Sequence, residues 1–274
     1  MGTRRWMLVM IGVAALLGLA AVATAQTETT STPSTAAQEG GAKWHFTIPL
    51  GIWAFGIHGP TGVNGFETDV DMSIHDVQKL TSRAMGLALE AGRGRITALP
   101  IVSFLRFEPD KTYATLPNGV VVYGNPRLDR ITAELAIAFR SALINPGPKM
   151  LVVEPLAGVR YTKMKSSIQL EQPADTSLAE RSVNWTDVFV GVRAVKSFTK
   201  HIGVCARGDI GSGGSELTWN AAGSVGYRFR FSGSSLTVAA GYMGSGLHYE
   251  SDTKSEFFMD QRMYGPTLGV AYSF

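Results

Sequence analysis

A single cysteine among 274 residues excludes a disulfide-held scaffold, and charged residues make up only 17% of the chain. After residue 25 no apolar run comes near the roughly 20 residues that a membrane-spanning helix needs, which excludes a polytopic helical membrane protein. The mean hydropathy of +0.08 is also too low for that class. Charge of one sign is scarce. The formal net charge is +3, and Arg4 and Arg5 stand in a segment with the pattern of a removable leader, leaving about +1. That balance is no electrostatic footprint for nucleic acid. Helical stripes of apolar residues are all but missing from Trp44 onward.

What the chain does have begins with its leader. Met1 to Arg5 carry the positive charge, Trp6 to Val22 are apolar, and Ala23-Thr24-Ala25 are small, the order of a secretory signal cleaved before Gln26. Gln26 to Lys43 are rich in Thr, Ser, Ala and Gly without periodicity, which reads as a disordered spacer. The expected organisation is therefore a signal peptide at 1–25, a spacer at 26–43 and one structural domain at 44–274.

That domain alternates with period two. Ile131, Ala133, Leu135, Ile137 and Phe139 share one face, while Arg130, Thr132, Glu134 and Arg140 lie on the other. From 217 to 230, Leu217, Trp219, Val225, Tyr227 and Phe229 oppose Thr218, Asn220, Ser224, Arg228 and Arg230. Ten such segments are predicted, at 44–55, 83–91, 95–107, 128–141, 149–164, 183–196, 202–210, 216–231, 235–249 and 262–274. Several exceed an ordinary soluble strand and match the length that crosses a bilayer at a tilt. Connections after even segments are short, as at Gly92-Arg93-Gly94, Asn145-Pro146-Gly147-Pro148 and Ser232-Gly233-Ser234. Those after odd segments are mostly long, such as Gly56 to Ser82 and Glu108 to Arg127. This pattern specifies a closed, antiparallel, up-and-down transmembrane β-barrel of about ten strands, with 8 to 12 the range, lying in the outer membrane.

The chain ends in a strand with Leu268, Val270, Tyr272 and Phe274 on one face. A terminal Phe with Tyr272 two residues earlier resembles the signature that the barrel-assembly machinery recognises. The chain resembles the small monomeric outer-membrane β-barrels of Gram-negative bacteria, and more closely a family of proteobacterial barrels defined by architecture. The likeness rests on Trp44-His45-Phe46 with Trp53, Val70-Asp71-Met72-Ser73, Ala157-Gly158-Val159-Arg160-Tyr161, Arg207-Gly208-Asp209-Ile210-Gly211 and Gly226-Tyr227-Arg228-Phe229. It implies fold, location, a monomer, and outer-membrane lipid and the assembly machinery as partners. It brings no catalytic residue and no cofactor.

With the greasy face on lipid, the other face points into the lumen. It gathers Glu90, Arg130, Glu134, Arg140, Glu154, Arg160, Asp187, Arg193, Arg207, Asp209, Arg228, Arg230 and Arg262. Side chains largely fill a barrel of this size, so these charges are expected to pair across it as a network. A plugged barrel working through its outer loops is the favoured function, and a narrow anion-leaning porin-like channel the alternative. An outer-membrane hydrolase is a third reading, with rim candidates His58, Asp69, Asp71, His75, Asp76, His248, Asp252 and Asp260. No nucleophile, base and orienting group stand at a diagnostic spacing, so no enzyme and no metal site is expected.

Smaller expectations complete the reading. Cys205 falls on the inward parity as a small filler. Trp53, Tyr161, Trp185, Trp219, Tyr227, Tyr242 and Phe274 are expected on the outer face near the barrel ends. Ser73 with Asp76 three residues later forms a capping-box pattern before Val77 and Leu80, which places a short helix in the first outer loop.

Overall fold

The computed structural model describes residues 43–63, 66–108, 112–115, 121–144, 151–171, 178–251 and 257–274. The leader, its cleavage site and nearly all of the spacer lie outside these residues, as does the Asn145 to Pro148 turn. The described elements are β1 (Trp44–Trp53), β2 (Gly56–Val63), β3 (Phe66–Met72), α1 (Ile74–Leu80), β4 (Thr81–Ala88), β5 (Glu90–Arg93), β6 (Ile96–Phe107), β7 (Thr112–Thr115) and β8 (Val121–Phe139). They continue with β9 (Ala142–Ile144), β10 (Leu151–Glu171), β11 (Leu178–Ser197), β12 (Ile202–Gly213), β13 (Leu217–Phe231), β14 (Ser234–Glu250) and β15 (Phe257–Ser273).

These segments make ten barrel strands, because β1 runs on into β2 and β4 into β5, while β3, β7 and β9 only flank their neighbours. Every pairing is antiparallel between chain neighbours until β15 returns to β1 and closes the barrel, leaving the main wall without a free edge. The seam runs from Thr47 opposite Ser273 to Trp53 opposite Thr267. At its lower end the backbones of Phe46 and Phe274 exchange two hydrogen bonds of 3.0 Å, and their rings stack at 5.9 Å. The last residue of the chain thus fastens the first strand.

The start of β1, the end of β15 and the described short turns share the lower rim, opposite the β2–β3 hairpin and α1 on the upper one. Several strands outrun their predicted limits: β8 begins at Val121, β10 runs to Glu171 and β11 begins at Leu178. Beyond the apolar zone the greasy-polar contrast that marks a strand fades, while backbone pairing continues. The first outer connection is likewise more than a loop. It forms the β2–β3 hairpin, with β2 extending the β15 ladder, followed by α1. Gly59 adopts a φ of +128°, and a Cβ there would collide with the Asp260 carbonyl, so only glycine fits at this point of the ladder.

Outside, a belt of exposed apolar residues circles the barrel, including Ile52, Leu87, Val102, Leu135, Val190 and Leu268. Such a surface suits lipid and would be a severe liability in water. Aromatics lie toward both ends of the belt: Trp44, Phe139, Tyr227, Phe229, Tyr272 and Phe274 below, and Tyr161, Trp219, Tyr242 and Tyr264 above. Two expected girdle residues do not join them. Trp53 and Trp185 are 5% exposed and point inward. Their parity continues Thr47 and Phe189, and both enter an apolar core that fills the upper lumen.

Candidate functional site

The lumen has two levels, each built from inward-facing positions of the wall strands. The lower level holds the charges. Arg160 sits at its centre on β10, with Nε and Nη2 donating to Glu134 Oε2 at 3.0 and 2.9 Å and Nη2 donating to Asp209 Oδ1 at 2.8 Å. Arg207 donates to Glu134 Oε1 at 2.6 Å and approaches Asp209 Oδ2 at 3.1 Å, while Asn220 donates to Asp209 at 2.9 Å. Two arginines and two carboxylates thereby close a ring of ion pairs with every member buried. Arg160 also lies 4.5 Å above the Phe189 ring. That ring crosses Gly158, where a Cβ would meet its Cζ at 2.6 Å, and on the other side a Cβ at Gly211 would meet the Phe189 Cβ at 2.8 Å.

A second ion-pair cluster lies in the same level. Arg193 donates to Glu154 Oε2 at 2.7 Å and to Glu90 Oε1 at 2.8 Å, and Arg140 stands 3.7 Å from Glu154. Each buried carboxylate here meets an arginine, which is what makes the burial tolerable. The two clusters leave little room at one point between them and the plug. A cavity of about 10 Å³ lies between Ile101, Glu134, Asp209, Asn220 and Met243, room for about one water molecule.

The upper level is apolar. Trp53, Phe55, Ile57, Leu105, Phe107 and Trp185 pack with Met164, Met243, Met259 and Met263. Methionine suits such a plug because its unbranched chain fills irregular gaps. Helix α1 packs onto it beside β2, β3 and β4: Ser73 and Asp76 form the capping box, and Val77, 3% exposed, inserts into the core. The Asp76 carboxylate accepts from the Ser73 hydroxyl at 2.6 Å and the Ser73 amide at 3.1 Å. Those bonds hold its pKa below the ordinary carboxylate value, the side-chain bond contributing most.

Not every residue assigned to the charge network from sequence is part of these clusters. Arg262 points outward and is exposed, because Gln261 and Met263 carry the inward parity of β15. Arg230 keeps the inward parity but lies exposed at the lower end of β13. Asp187 is buried inward, yet it serves the β12–β13 turn by accepting from the amides of Gly214 at 3.1 Å and Ser215 at 2.8 Å. Arg228 is 6% exposed on the inner face. Arg130, 4% exposed, lies level with Leu105 and Met164 at the boundary between the two levels. Its Nε and Nη1 have no hydrogen-bond partner among the described residues. Cys205 packs with Val152 and Val195 in the lower lumen.

Two of the rim histidines stand beside carboxylates on the outer surface. His58 Nδ1 and Asp71 Oδ1 lie 2.7 Å apart across the β2–β3 hairpin. His248 stands 3.5 Å from Glu216, 3.8 Å from Glu250 and 3.9 Å from Asp260. Among the described residues no group of three or more His, Cys, Asp or Glu has the arrangement to hold a metal ion. Asp252 lies outside the described residues. What sequence reasoning missed was the apolar plug, although Phe55, Ile57, Met259 and Met263 signalled it by being greasy at positions of inward parity.

Neither a protein-family model nor a curated protein matches the chain. Among solved structures it is similar to the outer membrane protease OmpT of Escherichia coli, at 10% identity over 89% of this chain and 100% of that one, with a TM-score of 0.44. It is also similar to Ail, the attachment invasion locus protein of Yersinia pestis, at 12% identity over 85% and 99% of the two chains, with a TM-score of 0.34. A Pseudomonas aeruginosa FadL homologue shares 9% identity over 85% and 90%, with a TM-score of 0.29.

Proposed function

We propose that this chain is a monomeric outer-membrane β-barrel with a closed lumen, whose work is done on its outer rim and outer surface. The observation that carries this reading is the double filling of the lumen. The Glu134–Arg160–Asp209–Arg207 cluster occupies one level, and the Trp53 to Met263 core beside α1 occupies the next. An apolar belt with aromatics at both ends supports the membrane setting. In this account the leader is removed after Ala25, the assembly machinery reads Tyr272 and Phe274, and the motifs shared with small proteobacterial barrels reflect common architecture. Exposure of Tyr272 and Phe274 at the seam, 44% and 54%, leaves both rings accessible to that machinery.

Location and closure are tested together. The mature protein should fractionate with the outer membrane, migrate faster unboiled than boiled, and leave proteoliposomes impermeable to small sugars in an osmotic swelling assay. Swelling at porin-like rates would overturn closure, and a soluble periplasmic band would overturn the location. The second reading, a narrow anion-leaning conduit, draws on Arg130, a buried cation whose Nε and Nη1 are unpartnered among the described residues. It requires a chloride current that falls on Arg130→Gln.

A further inference from the structure

Just above the apolar belt, the outer surface is divided by charge. On one side the register forms a row across β4, β6, β8 and β10: Arg83 opposite Arg106, Arg106 opposite Asp129, and Asp129 opposite Lys165. Arg127 lies two residues before Asp129 on the same strand face, and Lys163 lies one outward position below Lys165. Among the described residues these five cations face two carboxylates. Asp129 accepts from Arg106 at 2.6 and 3.2 Å and lies 3.1 Å from Arg127, while Glu108 stands 4.0 and 3.9 Å from the same two arginines. The shared carboxylates fix two guanidinium planes, and Arg106 also rests 5.3 Å over the Phe104 ring. Arg83 and Lys163 are exposed and have no ion pair among the described residues. Among the described residues the opposite side, on β13 to β15 and the β2–β3 hairpin, carries Glu216, Glu250, Asp260, Asp69 and Asp71 against Arg262.

The cationic side is continuous with grease. Directly below its row, Lys163 pairs with Ile131, Ile131 with Phe104, and Phe104 with Met85. Met85, Leu87 and Val102 are 67%, 65% and 52% exposed. A ligand that met both zones would present negative oxygens to fixed cations and hydrocarbon to the surface beneath them. We propose that this face docks a phosphorylated membrane lipid. Its phosphate lies among Arg83, Arg106 and Lys163, and its acyl chains lie over Met85, Leu87 and Val102. Charge complementarity selects the headgroup, because guanidinium and ammonium groups both bind phosphate oxygens strongly. Continuity with the belt selects a lipid over a soluble phosphate. The inference rests on the membrane setting proposed above.

The test uses the mature barrel refolded in phosphatidylcholine vesicles containing a trace of spin-labelled phosphatidic acid or spin-labelled phosphatidylcholine. Electron paramagnetic resonance then measures the motionally restricted fraction of each probe. The wild type is expected to prefer phosphatidic acid by about fivefold, roughly the worth of one well-placed cation at a membrane surface. Arg83→Gln with Lys163→Gln should bring that preference close to parity, and Glu216→Gln with Asp71→Asn on the other side should leave it unchanged. Parity in the wild type, or a preference surviving in the Arg83 and Lys163 variant, would overturn the proposal. Loss of the preference in excess inorganic phosphate at matched ionic strength would mark a soluble-anion site and overturn the lipid assignment. Vesicles that never yield the fast-migrating unboiled band would instead overturn the membrane setting itself.

Discussion

Arg193 and Trp53 both point into the barrel, and both are almost fully buried, yet they are held by different physics. Arg193 sits in the lower lumen between Glu90 and Glu154, each within 2.8 Å. Trp53 sits in the upper lumen against Phe55, with ring centroids 4.6 Å apart, and donates its indole N–H to the Gly265 carbonyl at 3.2 Å. Ion pairs are mutual, so removing one member strands the rest. Apolar packing is closer to additive, so each side chain costs about what its own burial is worth. The lower lumen therefore acts as an all-or-none clasp, and the upper lumen as a plug assembled from separable parts.

The largest effect should come from breaking the clasp at one point. Arg193→Met leaves Glu90 and Glu154 buried with fewer cations, and should cost about 3–5 kcal/mol of stability. Adding Glu90→Leu should recover part of that loss, since a matched apolar replacement of a buried pair is often close to neutral. Urea unfolding in vesicles, followed by the heat-modifiable gel band, measures both. A double variant no better than the single one would count against mutual pairing.

Breaking the plug should behave differently. Phe107→Ala should cost about 3 kcal/mol, Met263→Leu under about 1.5 kcal/mol, and the pair should sum to within about 0.5 kcal/mol if the two sites do not share contacts. Strong non-additivity in the same unfolding assay would erase the contrast between the levels. Between these extremes stands Gly158→Ala, whose Cβ would meet the Phe189 ring at 2.6 Å and the Ala136 Cα at 2.9 Å. Because strand backbone cannot retreat, a loss of about 1–3 kcal/mol is expected, and Phe189→Leu in the same chain should relieve part of it.

The smallest effect concerns the helix packed onto the plug. Asp76 has its pKa lowered by the Ser73 bonds, so its contribution is present above the unfolded carboxylate value of 3.8 and fades as pH falls through the folded one. Amide exchange at Val77, corrected for its intrinsic pH dependence, should speed up in acid, and Asp76→Asn should remove that dependence. Unchanged protection in acid would mean that the apolar seat of Val77 alone holds the helix.

The two levels also differ in how far the sequence displays them. The lower lumen was legible because Glu134, Arg160, Arg193 and Asp209 stand out as charges on the opposite parity from Leu135, Val159, Val192 and Ile210. Strand count, closure and the Ser73–Asp76 cap were legible for similar reasons of period and turn chemistry. The upper lumen was hidden because both faces there contain apolar residues. Trp53 and Trp185 look like lipid-facing aromatics until their parity is followed to Thr47 and Phe189. Arg262 was misplaced by the complementary error, an arginine assigned inward against the parity set by Gln261 and Met263. The His58–Asp71 pair needed the hairpin register, which no local pattern contains.

The central claim is that these two fillings together close the lumen, and single-channel recording of the purified mature barrel in planar bilayers tests it most directly. The account predicts a quiet baseline for the wild type and discrete steps only when both levels are opened together, as in Trp53→Ala with Arg160→Ala and Glu134→Ala. Sustained, regular conductance steps from the wild type would contradict it.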